Sequence, residues 1–170
     1  MDLNHLVSGA VYGFGLAVVA IAVPRFTRHI LAAVLGITAL IYVGMALYTH
    51  VSGAWLAVEL AGVGIYGYAA LRGFRGSAWW LVAGWALHPV WDIVLHSAGT
   101  GAAVAPQWYP TWCTTFDLMV ACFSAIAILI GTHLTDAPAR RSTQTAALAV
   151  RASRCNCTCE SCAATGARAA

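Results

Sequence analysis

The sequence predicts an all-α integral membrane bundle of five transmembrane helices, with the N-terminus outside and the C-terminus in the cytoplasm. Three observations predict it. Of the 170 residues, 61% are hydrophobic and 9% charged, where a soluble domain carries roughly 25% charged residues. Five apolar segments approach the ~20 residues a helix needs to cross the ~30 Å hydrocarbon core. All nine arginines fall on one side when those segments alternate across a bilayer.

The expected spans run from Asn4 to Val23, His29 to Thr49, Ser52 to Leu71, Ser77 to His96, and Thr111 to His133. Most connections are short, which predicts that sequential helices are antiparallel neighbours. The first span reads as retained, because Asp2 is the only charge before it and no small-residue cleavage site follows a short apolar run. Residues 1–135 form the expected membrane domain. Residues 136–170, rich in Ala, Arg, Ser and Thr, read as a disordered cytoplasmic tail.

Arginine placement sets the expected orientation. Arg25 and Arg28 lie between spans one and two, and Arg72 and Arg75 between spans three and four. Arg140, Arg141, Arg151, Arg154 and Arg168 follow span five. Positive charge accumulates in cytoplasmic loops, and this sorting also supports an odd number of spans. The chain has no lysine, and its arginines are not interleaved with aromatics, so nucleic-acid binding has no support. The expected location is the cell membrane, a bacterial inner membrane, crossed several times. Trp79 and Trp80 would anchor the cytoplasmic interface, and Trp55, Trp108, Tyr109 and Trp112 the outer one. Gly9 and Gly13 form a small-residue step suited to close helix contact, and Gly62, Gly64 and Gly67 thin span three.

Ionisable residues inside the spans carry the chemistry. Each costs ~2.5–3.5 kcal/mol to insert at bilayer depth, yet the chain places Glu59 in span three, His88, Asp92 and His96 in span four, and Asp117 in span five. At ~1.5 Å rise per residue, the three carboxylates lie roughly 6–11 Å below the outer boundary. With every arginine on the far side, three carboxylates facing one another cannot all be ionised and unpaired. They are protonated, paired with histidinium, bound to a metal ion, or bathed in water; a polar knot that only fixes helix register is the bland reading. His88, Asp92 and His96 recur at four-residue steps and so share a helical face, the step zinc-binding helices use. His88 and His96 stand ~12 Å apart along the axis, so one ion takes either His88 with Asp92 or Asp92 with His96, completed by Glu59 and Asp117. Pro89 withdraws one helical hydrogen bond beside this stripe. Cys113 shares the face of Asp117, and Tyr12, Tyr42 and Tyr66 are further hydroxyl donors, though ordinary packing explains each of them.

The tail adds Cys155, Cys157, Cys159 and Cys162. Clustered thiolates suit zinc or Cu(I), but the spacing is not that of a paired zinc site, and a tail without a role is the alternative.

The stretch from Gly84 through His88-Pro89-Val90-Trp91-Asp92 to His96, with Trp108-Tyr109-Pro110 and Cys113 to Asp117, resembles a small family of bacterial and fungal polytopic membrane proteins of unknown function. The likeness covers roughly residues 1–135 and implies a membrane location without an activity. A looser analogy is to membrane hydrolases of the alkaline ceramidase type, which set His and Asp around zinc but have seven spans.

The leading expectation is a metal-dependent, hydrolase-like membrane enzyme holding a divalent ion such as zinc. Glu59, Asp92 and Asp117 are the candidate catalytic residues, and His88, Asp92, His96, Glu59 and Asp117 the candidate ligands. The alternatives are a non-catalytic module or partner subunit, and a proton-coupled or ion transporter working as a homodimer. Expected partners are the lipid bilayer, further copies of the chain, and a small-molecule or lipid substrate.

Overall fold

The computed structural model describes residues 2–131. Its helices are α1 (Leu3–Ala22), α2 (Thr27–Tyr48), α3 (Gly53–Arg75), α4 (Trp79–Trp91) and α5 (Trp108–Leu129), and no strand occurs among the described residues. Four of them, α1, α2, α3 and α5, are long and apolar enough to cross a membrane. The thirteen residues of α4 alone are too few, but the chain continues without a break through a π-helical turn, Asp92–His96, before a 3₁₀ segment at Gly99–Ala103. The expected fifth span runs past Leu129 to His133, which lies outside the described residues together with the cysteine cluster of the tail.

Local chemistry accounts for the ends. Asp2 accepts from the backbone N–H of Asn4 at 3.0 Å and caps α1. Thr27 opens α2 with its hydroxyl donating to the Ala20 carbonyl at 2.6 Å, which closes the short turn from α1. His50, in the left-handed region with φ 52°, turns the chain between α2 and α3. Gly76 ends α3, and its carbonyl accepts from Arg28 at 2.7 Å, so the α1–α2 and α3–α4 connections meet at one end of the bundle.

The helix at the centre is α4, which packs against α5, α3 and α2. Its inward face carries Leu81, Gly84, Trp85, His88 and Pro89, continued by Asp92 and His96. One apolar cluster joins Leu31, Leu35, Leu81, Trp85, Phe116 and Val120. A second joins Tyr42, Ala46, Val104, Ala105, Tyr109 and Cys113. Large apolar side chains such as Val11, Ile37, Val94 and Leu118 point outward, the pattern expected of a chain whose solvent is hydrocarbon.

One expected neighbour relation is minor. The α1–α2 connection is short, yet α1 packs chiefly along α5. The Gly9–Gly13 step explains this. A Cβ on Gly9 would collide with the Trp112 carbonyl and the Thr115 hydroxyl, and one on Gly13 would lie 3.0 Å from the Cβ of Met119. With Ala17 and Ala20 also buried, α1 offers a stripe of small residues into which the bulkier face of α5 fits. In lipid, such close van der Waals fit is a main source of helix association.

Candidate functional site

Helices α3 and α5, with α4 and the π turn that continues it, bring all five ionisable side chains inside. Glu59, His88, Asp92, His96 and Asp117 are each at most 1% exposed. They form two linked groups. His88 Nδ1 lies 2.8 Å from Asp117 Oδ2 and 3.5 Å from Asp92 Oδ2. His96 Nε2 lies 3.5 Å from Glu59 Oε1, and its Nδ1 lies 3.3 Å from the Gly101 carbonyl.

The π turn explains the division. In an α-helix a residue four along overshoots one full turn of 3.6 residues. In a π turn, with its i→i+5 bonding, the same residue falls short. His96 therefore swings away from His88 and faces α3, while Asp92, reached within regular α-helix, stays beside His88. Pro89 does not break the helix; the ladder widens three residues after it. Single-turn π segments of this kind frequently mark functional sites.

Aromatic rings enclose the cluster. Tyr42 stacks on His96 with centroids 4.3 Å apart and planes 13° from parallel. The Tyr66 ring lies 4.7 Å from His88, and its hydroxyl donates to the Leu87 carbonyl at 3.2 Å. Trp91 crosses above Gly62, where a Cβ would come within 2.9 Å of the indole. Tyr109, expected as an interface anchor, is instead buried against Tyr42, while Trp55 is half-buried and lies 6.2 Å from His96. Tyr12 is exposed and stands apart from the site. Cys113 is buried near Tyr109 and Tyr42.

Many of the enclosed polar atoms have no hydrogen-bond partner. They include His88 Nε2, both Asp92 carboxylate oxygens, Asp117 Oδ1, Glu59 Oε1, His96 Nε2 and the Tyr42 hydroxyl. The Glu59–His96 approach is thus an ion-pair distance without hydrogen-bond alignment. Buried polar groups are normally paired, so such a concentration in one place requires a chemical reason.

A cation would supply one. His88, Asp92 and Asp117 each offer one ligand atom, and the three atoms lie within 4.8 Å of one another. Donors ~2.0–2.2 Å from a tetrahedral zinc ion stand about 3.4 Å apart. The His88–Asp92 separation of 3.5 Å already matches, while the 2.8 Å contact to Asp117 has to open by about half an ångström. With His88 neutral and both aspartates ionised, a divalent ion brings the three-residue group to zero net charge. The hollow bounded by Tyr42, Glu59, Tyr66, His88 and Trp91, beside the cluster, has no room for a water molecule.

The sequence named all five ionisable residues. It did not show Trp91 against Gly62, the Gly101 carbonyl against His96, or the inward turn of Tyr109. Two of these left a signal: Gly62, one of the glycines that thin span three, and Gly101, a glycine a few residues beyond the stripe, where a Cβ would run into the Leu95 carbonyl and lie 2.7 Å from Trp55.

The model of a family described as "Family of unknown function (DUF6010)" matches residues 4–133. The chain belongs to that family, in agreement with the resemblance its sequence bears to a membrane family of unknown function. No curated protein and no solved structure matches it.

Proposed function

We propose that this member of the DUF6010 family is a multi-pass membrane protein whose His88, Asp92 and Asp117 hold a divalent cation, zinc being the ion best suited, and that the centre is hydrolytic. The carrying observation is the convergence of one imidazole and two carboxylates from α4, its π turn and α5, all buried, with their donor atoms within 4.8 Å of one another. Three protein ligands leave a fourth position open, as in catalytic rather than structural zinc sites. An ion there supplies Lewis acidity and makes a nucleophile of water at neutral pH. Glu59, the carboxylate outside the ligand group, is the proposed general base, with His96 beside it to orient it. The 3₁₀ segment Gly99–Ala103 closes over His96 through the Gly101 carbonyl, so substrate enters when that segment moves.

The orientation proposed is N-terminus outside, with α4 and its π turn completing a fifth crossing. This places the centre in the outer half of a cell membrane, a bacterial inner membrane. Cys155, Cys157, Cys159 and Cys162 would then face the cytoplasm as a second, thiolate metal site.

One observation favours a non-catalytic reading. The five side chains are closed off from solvent, and the adjoining hollow does not admit water. A structural ion locking α4 to α5 needs no access. Transport has less support. In the other half of the bundle, the buried hydroxyls of Thr27 and Thr38 are bonded to nearby carbonyls and offer no onward path.

Full-length protein stripped with a chelator and resupplied with zinc separates these readings when offered ester- and amide-linked lipids. The hydrolytic centre predicts turnover that returns with the metal. It also predicts that Glu59→Gln keeps the metal and loses ~10²–10⁴-fold in rate. Metal binding that raises thermal stability without any turnover supports the structural ion and overturns the hydrolase.

A further inference from the structure

A groove of about 420 Å³ runs between α3 and α4 on the outside of the bundle. Gly64 and Ala83 are small, while Ile65, Tyr68, Trp80 and Leu87 rise around them. Nothing lies within 4 Å of where a Gly64 Cβ would be, so the recess is open rather than filled by a neighbouring helix. It spans Ala61 to Ala69 on α3, which is ~12 Å at the helical rise and most of the ~15 Å hydrocarbon depth of one leaflet.

One end of the groove is charged. The Arg72 guanidinium sits 6.0 Å over the Tyr68 ring and 5.8 Å over the Trp80 ring. Those two rings meet edge to face at 5.6 Å and form the groove's wall there. Arg75 follows less than one turn on, and Arg28 is held at the same end by the Gly76 carbonyl. Among the described residues the carboxylates are Asp2, Glu59, Asp92 and Asp117, and none lies at this end of α3. The guanidinium is therefore held in place by aromatic faces, with its N–H groups left for an anion, and guanidinium and phosphate match in a two-bond fork.

We propose that this groove binds one anionic glycerophospholipid, with an acyl chain in the recess between α3 and α4 and the phosphate on Arg72. The dimensions favour a chain over a second copy of the protein. About 420 Å³ spread over ~12 Å gives a cross-section of ~35 Å², against roughly 80 Å² for a helix 10 Å across. The charge favours an acidic headgroup over a zwitterionic one, whose own cation would face the arginines.

The lipid is a bound partner and not the substrate of the buried centre. Its headgroup lies level with Trp80, ~12 Å along α4 from His88. Its chain ends at Leu87 and Tyr66, whose ring rests on His88. The inference is independent of whether an ion binds at His88.

The test uses the full-length protein, delipidated in detergent and titrated with phosphatidylglycerol or phosphatidylcholine of identical chains, with retained lipid counted by native mass spectrometry. One phosphatidylglycerol per chain is expected, preferred about tenfold over phosphatidylcholine. Arg72→Gln removes the preference, and Gly64→Leu removes retention of both lipids. Ala83→Leu fills the same recess from the other helix and serves if Gly64→Leu does not fold. Gly15→Leu, on an open face of α1, leaves binding unchanged. Equal retention of the two lipids by the wild type, retention that survives both filling variants, or saturation by glycerol phosphate alone would overturn the proposal.

Discussion

His88 sets the asymmetry of the site at the scale of single residues. Its Nδ1 is at hydrogen-bond distance from Asp117 and beyond it from Asp92. In metal-free protein, Asp117→Ala leaves a buried imidazole without its acceptor, which costs about 1–3 kcal/mol. Asp92→Ala removes a group that accepts no aligned bond and costs less. Thermal unfolding of the two variants in excess chelator checks the order, and equal losses would contradict it. The identity of these residues was legible because charge inside an apolar segment stands out. Their pairing was not. A face read at α-helical pitch puts His88, Asp92 and His96 on one stripe, and the π turn that sends His96 to Glu59 has no signature beyond a proline three residues before it.

Glycine spacing decides how α1 finds its place at the scale of elements. Short connections favour sequential neighbours, but the Gly9–Gly13 step leads α1 to α5. Gly13→Leu overpacks that contact and costs about 1–3 kcal/mol. Gly15→Leu, with nothing within 4 Å of its Cβ position, is neutral. Melting temperatures in one detergent compare the two, and a neutral Gly13→Leu would rule out the α1–α5 interface. The small-residue step was visible in the sequence; its partner was not, because a glycine records that something comes close and not what does. The expected outer anchors show the same limit. Tyr109 has the composition of an interface residue, yet its ring serves the interior beside Tyr42.

The whole molecule is organised by where its charge can go. Among the described residues, Arg25, Arg28, Arg72 and Arg75 lie at the end where the α1–α2 and α3–α4 connections meet, and the buried carboxylates are gathered with histidines. Helix number and approximate extent followed from hydropathy, since an 18-residue apolar run has few soluble explanations. The proposed orientation makes its own prediction in a cysteine-free background. An impermeant thiol reagent labels Ser52→Cys and Ser97→Cys in intact cells, and labels Ser77→Cys only after permeabilisation. The reverse pattern would invert the protein and move the buried centre to the inner leaflet.

Sharing of a cation by three of the five buried ionisable groups is the proposed reason their burial is tolerable. It is tested most directly by elemental analysis of the full-length protein purified without added metal, with Cys155, Cys157, Cys159 and Cys162 changed to serine so that only the bundle can contribute. One divalent ion per chain is expected, lost in Asp117→Asn and retained in Glu59→Gln. A folded protein with no metal, or a metal content indifferent to Asp117, would contradict it.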